Sequence, residues 1–409
     1  MKKIIRITFM LMIFTGAWAG PSIEVQASSK QLYIQNTSEN SGKKEADSNS
    51  GTDKTDNMIS DALEDVDYDE IQDVIDEVLN GPEKIDFKDY VNELATGKEG
   101  ISISGILERV IDTMFGEILD NKGVIIQLVI ISVIAAIFTN FSNIFKNNQV
   151  SETAFYVTYL MMFSILTSSF YFATSIASTV LGSLFDFMKV LMPTYMLSIA
   201  VSAGAKTSLI YYESSLAMFT LIDVILLKVV LPMINVYFVL TLANYISKED
   251  MLSKLTELIE MLVQWILKTL LAVVIGLNAI QGMIIPMAEH VKNSVIIKST
   301  SAIPGIGNAI NTVSETLLGA GVVVKNAIGV GGLIVIITIC IIPIVKLAFF
   351  VIVYKFGAAI VQPISDKRLL GCMGAASNAA SLLLSTVFIA VLLFVISIAL
   401  VAASTNLNL

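Results

Sequence analysis

Two charged residues inside an apolar run are the first candidates for chemistry in this chain. Asp223 and Lys228 lie in the run 215–246, and a charge near the centre of a bilayer costs about 2.5–3.5 kcal/mol on insertion scales. Five positions on an α-helix separate two side chains by about 140°, so we do not expect these two to pair with each other. Two uses stay open: ion pairs with other helices that hold a bundle together, or places on an aqueous path.

No motif for nucleotide, metal or nucleophilic chemistry accompanies these charges. The chain has no P-loop, no paired-histidine zinc motif and no serine nucleophile elbow. Gly305 and Gly307 resemble the start of a dinucleotide-binding motif, but Ile310 occupies the position of its third glycine. His290 is the one histidine of the chain. The sequence therefore predicts a protein that uses no cofactor and is not an enzyme.

A stretch rich in small residues, 298–332, is the second candidate site. It is dense in Gly, Ala and Ser, and small residues let helices approach closely inside a membrane. Its composition favours a re-entrant or interfacial pair of short helices. We interpret it, together with the apolar run that follows, as a candidate assembly or pore element, with plain helix packing as the alternative. The residues singled out are Lys325, Asn326, Gly329, Pro343 and Lys346.

The elements that must position these residues are membrane spans. Of the 409 residues, 55% are hydrophobic and 15% are charged, whereas soluble domains carry about 25% charge. The fold class predicted is all-α: a polytopic helical membrane domain over 123–409, with about seven transmembrane helices and six to eight possible. The predicted spans are 123–139, 154–178, 190–205, 215–246, 261–286, 330–361 and 381–402.

The N-terminus has the pattern of a secretory signal peptide over residues 1–27. A basic start is followed by a short apolar core and by two small-residue cleavage sites, which end at Ala19 and Ala27. Residues 28–59 are rich in Ser, Asn, Lys and Gly, which is typical of a disordered linker. Because lysine and arginine are divided equally between the two sets of loops, the signal peptide alone sets the predicted orientation. It places residues 60–122 outside the cytoplasm.

The exported segment 60–122 is strongly acidic. Between Asp47 and Gly100 there are 17 acidic and 4 basic residues, a local charge of −13, so the remaining chain carries −9 + 13 = +4. Such a segment repels phosphates, which excludes nucleic acid as an expected partner. Apolar residues recur at helical spacing over 63–79 and again over 106–119. The acidic face of the first helix is either a solvated surface or a docking face for a basic extracytoplasmic partner.

Several motifs together resemble the stage III sporulation protein AE family. The stretch 316–329 reads TLLGAGVVVKNAIG, and a long apolar run follows it. The stretch 191–204, LMPTYMLSIAVSAG, is similar to the proline-containing third span of that family. Val229-Val-Leu-Pro232 and Gln281-Gly282 fall in the expected order. The resemblance covers about residues 60–405.

This resemblance implies a specific setting. Members of the family are made in the mother cell of endospore-forming bacteria and reside in the membrane around the engulfed forespore. They join a channel complex, resembling a secretion system, that links the two cells and has a separate ATPase subunit. The expected partners are therefore the lipid bilayer, other membrane subunits and that ATPase, and the acidic segment would lie between the two membranes. A stand-alone secondary transporter or permease is the alternative function.

Overall fold

Helices account for the regular structure of the described chain. The computed structural model describes residues 68–78, 86–96, 148–246, 251–300, 307–362 and 367–406, with five isolated helical positions between 116 and 133. Within these residues there is no strand, which confirms the all-α fold class. The predicted signal peptide, the linker, the amphipathic stretch 106–119 and the first predicted span, 123–139, lie outside the continuously described residues.

Eight α-helices and one π-helical segment make up the described parts. Two short helices precede the long apolar helices, and the π-helix joins two of the long ones. In chain order the elements are α1 Asp69–Val78, α2 Phe87–Thr96, α3 Asn148–Ala203, α4 Ala205–Asp223, the π-helix Val224–Val230, α5 Leu231–Ile246, α6 Ser253–Thr300, α7 Gly307–Val361 and α8 Lys367–Asn406.

Five helical stretches among the described residues are long and apolar enough to cross a membrane, which confirms a multi-pass membrane protein. The 56 residues of α3 would rise about 84 Å, far more than the roughly 30 Å of a hydrocarbon core. These helices therefore extend well beyond the apolar layer. The five stretches are Phe155–Ala200, Ser208–Ile246, Ser253–Gly282, Gly319–Ile360 and Lys367–Ser404.

The division into spans differs from the prediction at α3. The predicted spans 154–178 and 190–205 belong to one continuous helix, and Pro193 lies inside it. A proline in a helix removes one backbone hydrogen bond. Pro193 itself is exposed, whereas Leu191 and Tyr195, two positions to either side of it, are fully buried. Packing of these two side chains stabilises the continuous helix on its opposite face.

A sharp reversal separates α3 from α4. Gly204 has φ 98°, a left-handed conformation that only glycine adopts without strain. A hydrogen bond bridges this reversal, because the Ser208 hydroxyl of α4 donates to the backbone carbonyl of Met196 in α3. Further along, Phe185 of α3 and Phe219 of α4 both contact the ring of Phe394 in α8. Helices α3 and α4 thus run antiparallel.

Helix α7 packs on α8, α3 and α2, and α8 packs in addition on α5 and α6. Polar side chains link these helices across the apolar core. The Tyr354 hydroxyl of α7 donates to Ser169 of α3 at 2.7 Å, and the Asn278 amide of α6 donates to Ser397 of α8 at 3.2 Å. Such bonds stabilise helix association where the lipid offers no hydrogen-bonding partner.

The short helices α1 and α2 form a small helical pair on this bundle. Ile71 and Ile75 of α1 are fully buried, as the apolar spacing predicted. The Gln72 side-chain oxygen accepts a hydrogen bond from the backbone N–H of Phe87 at 2.9 Å. Asp86 caps α2 by accepting from the Asp89 N–H at 3.0 Å. Helix α2 was not predicted from the sequence.

Candidate functional site

The element around Lys325 is part of one long helix. The sequence favoured a pair of short helices over 298–332, but residues 307–332 lie within the first half of α7. Glycine disfavours a helix by about 1 kcal/mol relative to alanine, and this cost is offset here by close packing. We call the three glycines Gly329, Gly331 and Gly332 the glycine seam.

The glycine seam lets two other helices approach the backbone of α7. A methyl group on Gly332 would lie 2.6 Å from Leu191 Cδ2 of α3, and one on Gly329 would lie 3.3 Å from the ring of Tyr195. On Gly331 it would lie 3.1 Å from Val91 Cγ2 of α2. Every one of these distances is shorter than an ordinary van der Waals contact of about 3.5–4.0 Å. Side chains larger than hydrogen are therefore excluded unless a neighbour moves.

Lys325 lies one helical turn before Gly329 and is fully buried. A buried ammonium group is costly unless other groups compensate its lost hydration. Both Lys325 and Asn326 interact with other groups of the protein, so the charge is accommodated inside the bundle. The sequence reasoning singled out these residues, and the structure places them beside the seam.

Pro343 and Lys346 lie farther along α7 and do not join the seam. Pro343 is 14 positions beyond Gly329, about 21 Å along the helix axis. Both side chains are half-buried, and α7 continues through Pro343 without interruption. The structure thus brings Lys325, Asn326 and Gly329 together and leaves Pro343 and Lys346 in a separate part of the helix.

Asp223 directly precedes the π-helix and Lys228 lies within it, which changes the predicted angle between the two side chains. A π-helix closes its backbone with i→i+5 bonds, as the Leu231 N–H does to the carbonyl of Leu226. This spacing brings side chains five positions apart close together on the helix surface. The angle of about 140° around the axis, expected between Asp223 and Lys228 in an α-helix, therefore does not apply. Pro232 is the second residue of α5. Its ring crowds the backbone carbonyl of Lys228, four residues earlier, which favours a wider helical turn.

A buried polar cluster lies where α4, α6 and α8 meet. Tyr211 and Ser404 share a hydrogen bond of 2.9 Å between their hydroxyls, and Asn278 donates to Ser397. Asn278 Oδ1 and Gln281 Oε1 have no hydrogen-bond partner among the described residues. The sequence reasoning did not identify this cluster, although isolated amide side chains in apolar runs were the available signal.

The surface of α1 presents the acidic charge that the sequence predicted. Five of its ten residues are acidic and none is basic. Beneath them, Tyr68 lies edge-to-face against Phe87, with ring centroids 5.9 Å apart, and burial raises the pKa of Tyr68 to about 12. Phe87 in turn packs against Gly331, so a buried path of contacts connects the acidic helix to the glycine seam.

No metal-type grouping is present in the parts of the chain that the structure describes, because no three His, Cys, Asp or Glu side chains come together there. The two cysteines, Cys340 and Cys372, are free and buried.

Comparison with known proteins identifies a family that matches most of the chain. The family model for stage III sporulation protein AE matches residues 85–405. A relative from Bacillus subtilis (strain 168), named stage III sporulation protein AE, is 21% identical over 308 residues, which cover 74% of this chain and 76% of the relative. No solved structure matches the chain.

Proposed function

The chain belongs to the stage III sporulation protein AE family, and on that premise we propose that it is the integral membrane subunit of a mother cell–forespore channel complex. The complex resembles a secretion system and is required for endospore formation after engulfment. The protein resides in the membrane that surrounds the forespore. Its partners are other membrane subunits and a separate ATPase that supplies energy.

The observation that carries this proposal is the attachment of the acidic helix pair to the membrane bundle. Helix α2 packs directly on Gly331 of α7, two positions after the stretch 316–329 that resembles the family signature. An attached acidic surface can present charge to a basic partner in the space between the two membranes. With the signal peptide setting the orientation, the segment that carries α1 and α2 is extracytoplasmic.

A non-catalytic role fits the character of the buried contacts. The close contacts at the glycine seam are made by glycines and apolar side chains beside the buried Lys325. The sequence contains no nucleophile motif. Energy for any transport would come from the partner ATPase, because the chain has no phosphate-binding loop. The protein then acts by assembling and holding subunits.

Deletion of the gene in its native spore-forming host tests the proposal. We expect sporulation to stop after engulfment, with no heat-resistant spores, while the vegetative growth rate is unchanged. Membrane staining stages the arrest, and a reintroduced wild-type copy is the control. Normal spores accompanied by a vegetative transport defect would refute the proposal.

The alternative of a stand-alone transporter or permease rests on a different observation, the polar cluster around Asn278. Amide oxygens without a partner among the described residues could line a path for water or a small solute. In that case Asn278→Leu would abolish uptake of a solute in vegetative cells. The channel-subunit proposal expects that Asn278→Leu leaves vegetative cells unaffected.

A further inference from the structure

The outer surface of the rod formed by α4, the π-helix and α5 carries two charges in an apolar setting. Lys228 is exposed and Asp223 is half-exposed, close to the middle of the apolar stretch Ser208–Ile246. Leu221, Val224 and Val229 around them are exposed as well. This face is therefore apolar at its margins and contains one acid and one base.

Neither charge is neutralised within the described protein. Asp223 and Lys228 form no hydrogen bond and no ion pair with any residue that the structure describes. An exposed ammonium group in an apolar membrane surface is unfavourable, and such residues usually face another protein group or water. Lys325 provides a contrast, because it is fully buried and interacts within the chain.

The π-helix gives this face a self-complementary pattern of charge. Its i→i+5 spacing brings Asp223 and Lys228 to neighbouring positions on one side of the rod. Side chains of a helix lean towards its N-terminus, so the ammonium group of Lys228 extends towards the level of Asp223. A surface with an acid and a base at similar depth can pair with a copy of itself around a two-fold axis.

We propose that a second copy of this chain docks on the face around Val224, with Asp223 of each copy paired to Lys228 of the other. Both copies cross the membrane in the same direction, as a two-fold axis along the membrane normal requires. Two reciprocal ion pairs neutralise all four charges, and the exposed Leu221, Val224 and Val229 supply the apolar contact around them. The proposal concerns self-association and does not depend on what the complex transports.

Charge exchange between two differently tagged copies in one membrane tests this pairing. Asp223→Lys gives a face with two cations, and Lys228→Asp gives a face with two carboxylates. We expect either variant paired with itself to lower co-purification of the two tags about tenfold or more, because like charges then face each other. Co-expression of the Asp223→Lys copy with the Lys228→Asp copy is expected to restore it, since opposite charges again meet.

The matched control is Lys268→Asp, which changes an exposed lysine in the neighbouring stretch Ser253–Gly282 and is expected to leave co-purification unchanged. Membrane protein levels are compared for every variant. If the mixed pair stays as weak as each variant paired with itself, the proposal is overturned. The proposal is also overturned if two wild-type copies do not co-purify and the charge variants instead lose a different subunit. That result would assign the face to the other subunit.

Disulfide trapping provides a second measurement that does not alter charge. Val224→Cys is expected to give a cross-linked dimer under mild oxidation, and Val273→Cys, which is slightly more exposed on α6, is expected to give none. Equal cross-linking at both positions would show random collision and contradict the assigned face. Both variants retain the buried Cys340 and Cys372, so these cysteines are a common background.

Discussion

The glycine seam and the outer face around Val224 solve the problem of helix contact in opposite ways. At the seam, α3 and α2 approach the backbone of α7 through missing side chains, and the nearby Lys325 is fully buried. At the outer face, Asp223 and Lys228 have no ion-pair partner among the described residues. The difference teaches that the seam is held by close fit of shape, whereas the proposed contact between two copies would use charge to define its register.

The largest effect is expected at the seam. Gly332→Leu places a branched side chain where a methyl group alone would lie 2.6 Å from Leu191. Overpacking of this kind destabilises a protein by about 1–3 kcal/mol or more, so we expect a lower melting temperature in detergent and reduced accumulation in the membrane. Gly319→Leu is the control on the same helix, because nothing lies within 4 Å of a methyl group there. Equal destabilisation by both substitutions would mean that the seam is not a close contact.

Part of the fold and of the glycine seam was predictable from the sequence. The burial of Ile71 and Ile75 follows from their helical spacing, and the small residues before Gly332 indicated close helix approach. The contact between Val91 and Gly331 was not predictable, because it joins residues 240 positions apart and a ten-residue helix has little periodic signal. The π-helix was also missed, since the number of residues per turn depends on backbone hydrogen bonds that a hydrophobic pattern does not report.

An effect of intermediate size is expected when a substitution beside the glycine seam is compared with one on the outer face by the number of spores formed. Lys325→Ala removes a fully buried side chain and the interaction that it makes within the protein, and loss of one partner of a buried polar contact costs about 1–3 kcal/mol. Asp223→Asn keeps the size of the side chain and a group that can hydrogen-bond to lysine. We therefore expect Lys325→Ala to reduce heat-resistant spore counts more than Asp223→Asn does, at equal protein levels. The reverse order would favour ion-coupled transport over assembly.

The smallest effect concerns Tyr68, which links the acidic helix to the seam through Phe87. Its hydroxyl is buried without a hydrogen-bond partner among the described residues, and burial raises its pKa to about 12 from the ordinary value of 10.0. The folded state therefore favours the neutral phenol. Its contribution to the free energy of unfolding is fully present below pH 10, the pKa in the unfolded chain, and is lost as the pH rises towards 12.

Tyr68→Phe removes both the unpaired hydroxyl and its ionisation. We expect α1 and α2 to remain attached at neutral pH, with stability unchanged or raised by up to about 1 kcal/mol. We also expect their release between pH 10 and 12 to be less pronounced than in the wild type. Limited proteolysis after residue 96 in membrane vesicles measures this release, and Tyr156→Phe, at an exposed position of α3 outside the helix pair, is the control. An unchanged alkaline release in Tyr68→Phe would show that burial of Tyr68 does not control how the acidic pair is held on the seam.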